Sequence, residues 1–181
     1  MKIILAYLVL SLLINIIAAV LAKFGLNNLP LLHFYTIAEL CFVMLFFREI
    51  MQPKQVTKWI YTICIFFAVI CVLNSLFLQS IYTFNSYTRS LEAILIIGFC
   101  ITYLSGEEVI STSGIRLFPA AWVSGGLLLY FSSSLIQFVF SNQLLTSAKS
   151  VQILIWDIHG VLLLITYLVY TKAIINEAAA G

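Results

Sequence analysis

The chain has 181 residues, of which 63% are hydrophobic and only 9% are charged. Soluble domains normally carry about 25% charged residues, so this composition excludes an ordinary soluble globule and indicates an integral membrane protein. The formal net charge is only +2, and the sequence contains no run of Lys and Arg residues. Nucleic acid is therefore excluded as a partner, and the lipid bilayer is the first partner that the sequence predicts.

Six apolar runs reach the length of about 20 residues that a membrane-spanning helix needs. The first run exceeds the apolar region of a usual signal peptide, so we interpret it as a retained span. Short connections containing Gly, Asn, Pro and polar residues separate the runs. The predicted spans are residues 3–22, 31–50, 59–78, 84–104, 119–140 and 151–170, within one transmembrane domain of residues 1–177. The closing residues 178–181 are interpreted as a cloning remnant. We therefore predict an all-α fold, a polytopic integral membrane bundle of six transmembrane helices.

The distribution of basic residues predicts how the spans are oriented, because Lys and Arg are enriched in cytoplasmic loops. With the N-terminus inside, six basic residues fall on the cytoplasmic side, against Lys23 and Lys149 outside. The six are Lys2, Arg48, Lys54, Lys58, Arg116 and Lys172. We therefore predict an N-in and C-in topology.

Polar residues inside the spans lie at similar depths. Counting about 1.5 Å per residue from the outer end of each helix places an ionisable set roughly 8–13 Å below the outer surface. Ionisable side chains in a bilayer cost roughly 2.5–3.5 kcal/mol each, so they face one another or a wet cavity. We therefore predict one buried, titratable site in the outer half of the bundle. Its predicted ligand-binding or proton-sensing residues are His33, Tyr35, Glu39, Asn74, Asn85, Arg89, Glu92, Trp156, Asp157 and His159.

Helical spacing predicts contacts within this site. Arg89 and Glu92 are three residues apart, which predicts an ion pair on one helix face. Asp157 and His159 are two residues apart, so they point toward different neighbours. With Glu39 included, three carboxylates face one guanidinium, and protons, protonated histidines or a bound cation must offset the excess negative charge. The alternative is a structural ion pair that only fixes helix register.

Cofactor and catalytic sites are alternative interpretations of the same residues. A haem held by His33 and His159 is disfavoured because their depths differ by roughly 9 Å. A metal held by Glu39, Asp157 and His159 has suitable ligand types, but no recognised metal-binding spacing supports it. The serine run "YFSSSLIQF" is not a nucleophile elbow. We therefore assign no catalytic residue, no metal and no cofactor, and an enzyme is the less favoured interpretation.

Four segments carry a further pattern. "LLHFYTIAELCFVMLFFRE" contains an H-x-Y-T-x-x-E run, and "YTFNSYTRSLEAILIIGFCITYL" contains an F-N-S-x-x-R-x-x-E run. "FPAAWVSGGLLLYFSSSLIQFVFSN" carries an aromatic-Ser run, and "VQILIWDIHGVLLLITYLVY" places Trp156 ahead of His159. Together they resemble a family of uncharacterised bacterial six-helix inner-membrane proteins that are often encoded beside two-component histidine kinases; Asp157 departs from that family's pattern. The resemblance implies a multi-pass protein of the bacterial cell inner membrane, with a sensing or signalling role and a membrane signalling partner such as a histidine kinase.

The leading prediction is a small membrane sensor or receptor-like signalling component. It would bind a small ligand or respond to protons and pass a helix rearrangement to its partner. Three alternatives stay open: a proton-coupled or cation transporter, an intramembrane lipid-acting enzyme with Asp157 or His159 as base, and a structural partner subunit. The apolar cytoplasmic half of the spans counts against transport because it offers no exit path.

Overall fold

The computed structural model describes residues 1–51, 54–106 and 119–178. Over these residues the chain is all-helical, with six helices and no strand. The helices are α1 (Lys2–Lys23), α2 (Leu29–Ile50), α3 (Lys54–Phe77), α4 (Ser86–Leu104), α5 (Pro119–Leu144) and α6 (Lys149–Ala178). Each contains a stretch long and apolar enough to cross a membrane. The prediction of an all-α chain with six helices of spanning length is confirmed, while the N-in and C-in orientation stays a prediction.

Several helix ends differ from the predicted spans. α4 begins at Ser86 rather than at residue 84, whereas α5 and α6 continue to Leu144 and Ala178. Hydropathy locates the stretch that fits the bilayer core, but backbone hydrogen bonding continues a helix into the polar interface. Arg116, which entered the topology prediction, lies outside the described residues.

Local sequence explains where two of the helices begin and where α1 ends. Gly25 has a φ of 69°, a left-handed conformation that glycine adopts without steric cost. The N–H of Gly25 bonds to the carbonyl of Ala22, and the N–H of Leu26 bonds to the carbonyl of Leu21. This pair of bonds is a Schellman motif, which closes α1. α2 and α5 each start with a proline in the first turn, where its missing N–H costs nothing.

The helices divide into two compact units. The N-terminal unit comprises Lys2–Glu92, with α1, α2, α3 and the first two turns of α4. Within it, α2 packs against both α1 and α3. α2 also has the largest buried share of these three helices, and it buries Leu40, Val43, Met44 and Phe47. α2 is therefore the central helix of this unit.

The C-terminal unit comprises Ala93–Gly181, and its principal contact is between α5 and α6. A Cβ atom placed on Gly126 of α5 would lie 2.9 Å from Cε1 of Tyr170 and 3.2 Å from Cγ1 of Val169. Only glycine therefore permits this approach of the two helices, as small residues do in membrane bundles. On α6 many large apolar side chains are exposed, as expected for a helix that contacts lipid.

Candidate functional site

Glu39 on α2 is a carboxylate with hydrogen-bond donors on both of its oxygens. Its side chain is buried, and its Oε1 accepts hydrogen bonds from the Tyr7 hydroxyl at 2.6 Å and from the Tyr35 hydroxyl at 3.0 Å. Its Oε2 accepts a hydrogen bond from Nη1 of Arg89. Donors on α1, α2 and α4 therefore meet at one carboxylate.

Arg89 joins this carboxylate to a second one. Its Nη1 also donates to Oε2 of Glu92 at 2.6 Å, the contact that the three-residue spacing predicts. The Arg89 guanidinium carbon lies 5.8 Å from the centroid of the Tyr35 ring, within the range of a cation–π contact. One buried guanidinium thus serves two buried carboxylates. We call Tyr7, Tyr35, Glu39, Arg89 and Glu92 the Arg89 network.

Two acceptors beside Arg89 lack a donor among the described residues. Glu92 is fully buried, and its Oε1 has no hydrogen-bond partner there. Asn85 donates through Nδ2 to Oγ1 of Thr36 at 2.7 Å, but its Oδ1 has no partner in the same part of the chain. A buried acceptor without a donor costs about 1–3 kcal/mol. Asn85, Arg89 and Glu92 are spaced by four and three residues, so both open acceptors lie along one side of the start of α4.

The sequence reasoning missed two residues of α1 at this site, Tyr7 and Ser11. Oγ of Ser11 lies 3.1 Å from the Tyr35 hydroxyl, and the Ser11 carbonyl accepts a hydrogen bond from Nδ2 of Asn15 at 2.8 Å. Tyr7, Ser11 and Asn15 recur every four residues in an otherwise apolar helix. That spacing places them on one face, and it was the signal that could have revealed them.

His33 and Asn74 have partners near the segment between α3 and α4. Nε2 of His33 lies 3.0 Å from the carbonyl oxygen of Thr83, and its Nδ1 lies 3.3 Å from Oγ of Ser75. Because a carbonyl oxygen only accepts, Nε2 is the nitrogen that carries the proton. Asn74 donates through Nδ2 to Oε1 of Gln79 at 3.3 Å. Both predicted site residues therefore hold the connection in place.

His159 lies between α5 and α6 of the C-terminal unit. Its Nε2 lies 3.3 Å from the Tyr130 hydroxyl, and its Nδ1 lies 3.2 Å from Oγ of Ser134. The ring centroids of Tyr130, Phe138 and Trp156 lie 5.4, 5.8 and 6.0 Å from the centroid of His159. His159 is thus bonded to two hydroxyls and surrounded by three aromatic rings.

The predicted site residues lie in both units of the chain. Within the N-terminal unit the structure brings together Tyr35, Glu39, Arg89 and Glu92, with Asn85 next to them. Within the C-terminal unit it brings Trp156 to His159, whereas the Asp157 side chain is exposed and turned to another side of α6. Across the described ranges, no group of three or more His, Cys, Asp or Glu side chains is placed to hold a metal ion.

Comparison of the chain with protein-family models, with curated proteins and with solved structures finds no match in any of the three. The resemblance of four segments to a bacterial membrane family therefore stays a prediction. What the chain does is inferred from its own residues, and the Arg89 network is the candidate site.

Proposed function

We propose that the chain is a small membrane sensor or receptor-like signalling component whose input site is the Arg89 network. The observation that carries this proposal is the Arg89 guanidinium shared between two buried carboxylates, Glu39 and Glu92. Because the same network also includes a hydroxyl from α1, a change in its charge or hydrogen bonding alters the contacts of three helices together.

The charge of the network indicates what it would take up. With both carboxylates ionised, Glu39 and Glu92 carry two negative charges against the one positive charge of Arg89. A buried charge is costly unless it is paired and hydrogen-bonded, and Oε1 of Glu92 and Oδ1 of Asn85 are open acceptors among the described residues. A proton, or a small ligand with a cationic or hydrogen-bond-donating group, would supply both the charge and the missing hydrogen bond.

The output would travel through the helices. Tyr7, Glu39 and Arg89 lie on α1, α2 and α4, so uptake at the network would change how these helices are held. A membrane partner in contact with them could detect the rearrangement, and the sequence resemblance suggests a histidine kinase. On the predicted topology the network lies in the outer half of the membrane and senses from that side.

The proposal is tested with protons as the ligand. Infrared difference spectra of the wild-type protein in lipid nanodiscs are recorded between about pH 5 and about pH 8, the range that brackets physiological proton signals. We expect a band from a protonated carboxyl group that Glu92→Gln removes and Glu49→Gln retains. Glu49 is the matched control because it lies exposed in the last turn of α2. Amide hydrogen exchange, corrected for its chemical dependence on pH, should change in α2 and α4 of the wild type and of Glu49→Gln but not of Glu92→Gln.

Two results would overturn the proposal. One is a wild-type protein with no such band and no exchange difference, which also shows no stabilisation by small amine or guanidinium compounds. The other is a pH response that Glu92→Gln and Glu49→Gln weaken equally. Proton flux into proteoliposomes that requires Glu92 would instead favour the transporter.

A further inference from the structure

An apolar cavity lies in the C-terminal unit, at the end where α4 stops and α5 begins. Its volume is about 270 Å³. Leu104, the last residue of α4, lines it together with Ala121 and Trp122 from the first turn of α5, Gly125 one turn later, and Val169 of α6. Ligand sites usually enclose about 300–1,000 Å³, so this cavity has room for part of a ligand rather than for a large molecule.

Two neighbouring glycines of α5 have different roles around the cavity. A Cβ atom placed on Gly125 would meet no atom within 4 Å, whereas one placed on Gly126 would meet Tyr170 at 2.9 Å. Gly126 therefore allows α6 to approach, and Gly125 leaves the space beside that contact open. A larger side chain at Gly125 would fill the cavity without entering the contact between α5 and α6.

The side chains in and beside the cavity are arranged like the parts of a phospholipid, from the acyl chain to the charged headgroup. Trp122 lies half-buried in the first turn of α5, and tryptophan is enriched at the level of the lipid headgroups. Lys172 of α6 is exposed and follows Val169 by three residues, so the two lie on one helix face one turn apart. The apolar space, the indole of Trp122 and the ammonium group of Lys172 therefore follow one another along the helices toward their end.

We propose that this cavity binds one acyl chain of an anionic phospholipid whose phosphate contacts Lys172. The flexible stem of a lysine lets its ammonium group reach the headgroup while the chain stays in the apolar space. On the predicted topology this end of the helices faces the cytoplasm, where anionic headgroups attract basic residues. This site shares no residue with the Arg89 network, and the proposal does not depend on the sensor function.

The proposal is tested by native mass spectrometry of the delipidated protein. The protein is titrated with phosphatidylglycerol and with phosphatidylcholine of identical acyl chains. We expect the wild type to retain one phosphatidylglycerol in preference to phosphatidylcholine. Gly125→Leu, which fills the cavity, should weaken retention about tenfold, which corresponds to about 1.4 kcal/mol. Lys172→Gln should keep lipid binding but lose the preference for the anionic headgroup.

The matched control is Gly98→Leu on α4. Gly98 is exposed, and a Cβ atom there meets nothing within 4 Å, so the same substitution adds the same bulk away from the cavity. Retention by Gly98→Leu should equal that of the wild type. Equal retention by Gly125→Leu and wild type, or equal binding of the two lipids by the wild type, would overturn the proposal.

A second measurement keeps the proposal testable even if Gly125→Leu does not fold. In a Trp59→Phe, Trp156→Phe protein, Trp122 is the sole tryptophan of the three in the chain. Phosphatidylglycerol brominated on its acyl chains should then quench Trp122 fluorescence more strongly than brominated phosphatidylcholine at the same mole fraction. Equal quenching by the two lipids would show ordinary bilayer contact only and would overturn the proposal.

Discussion

The two units of the chain hold their helices with different chemistry. In the N-terminal unit, the Arg89 guanidinium only donates and the carboxylates of Glu39 and Glu92 only accept. In the C-terminal unit, His159 lies between two hydroxyl groups, which both donate and accept, and Gly126 allows a close apolar contact. Loss of Arg89 leaves two buried charges without their partner, whereas hydroxyl partners can satisfy either tautomer of His159. We therefore expect the stability of the N-terminal unit to depend strongly on Arg89 and that of the C-terminal unit to be distributed over several contacts.

Replacing Arg89 by Ala should cause the largest effect, because it leaves Glu39 and Glu92 buried together without a cation. Breaking a buried ion pair by removing one partner costs about 3–5 kcal/mol. The free energy of unfolding, measured by titration with SDS from mixed micelles, should fall by this amount. The control is Arg48→Ala. Arg48 is exposed, and its guanidinium carbon lies 5.3 Å from the Tyr61 ring centroid. Because an exposed cation–π contact contributes only about 0.5–1 kcal/mol, this variant should lose no more than that. If the two variants lost the same stability, the N-terminal unit would not depend on Arg89.

The second comparison distinguishes the contributions of Glu39 and Glu92 to stability. Glu39→Gln leaves only one side-chain oxygen as an acceptor. That oxygen can accept either from the hydroxyls of Tyr7 and Tyr35 or from Arg89, but not from both sides. A charge-assisted hydrogen bond worth about 1.5–3 kcal/mol is therefore lost. Glu92→Gln can keep its single bond to Arg89 and places its amide nitrogen where Oε1 has no described partner. The same SDS titration should rank Glu39→Gln well below Glu92→Gln in stability. The reverse ranking would mean that Glu92 is the structural carboxylate and would remove the basis for treating its open acceptor as an input site.

The third comparison concerns the apolar contact of the C-terminal unit. Gly126→Ala adds a methyl group that would lie 2.9 Å from the ring of the buried Tyr170. Overpacking of this kind costs about 1–3 kcal/mol, and the lower half of that range applies because only one methyl group is added. Gly125→Ala adds the same methyl group to open space, so its stability should be at least that of the wild type, since Ala favours the helix over Gly. Thermal unfolding of the pair in one detergent measures the difference, and equal midpoints would contradict the close α5–α6 contact.

The fold was predictable from hydropathy because a bilayer admits only structures that satisfy their own backbone hydrogen bonds, and an apolar run of about 20 residues does so as a helix. The Arg89–Glu92 contact was predictable for the same kind of reason, since a helix fixes which residues are neighbours three positions apart. Depth counting also placed Glu39 at the level of Arg89. Each of these inferences needs only the geometry of a single helix.

The sequence did not determine in which direction around the helix axis each polar side chain faces. Asp157 and His159 have similar predicted depths, yet the structure gives His159 two hydroxyl partners and leaves Asp157 exposed. Tyr7 was missed because it lies in the inner half of the first predicted span, below the depth assigned to the site, and its hydroxyl becomes important only through the position of Glu39 on another helix. Which way a side chain faces depends on neighbouring helices, and their arrangement is not encoded in any one span.

The smallest effect should come from two adjacent serines of α5. Ser134 is buried with its Oγ 3.2 Å from Nδ1 of His159, whereas Ser133 is exposed and bonds to the carbonyls of Leu129 and Tyr130 in its own helix. A side-chain hydrogen bond between membrane helices contributes about 0.6 kcal/mol on average, so Ser134→Ala should lower the free energy of unfolding by about that amount and Ser133→Ala should leave it unchanged. The SDS titration used for Arg89→Ala makes the values comparable. A loss of about 3 kcal/mol or more from Ser134→Ala would mean that His159 is as indispensable to its unit as Arg89 is to the other, and the contrast between the two units would fail.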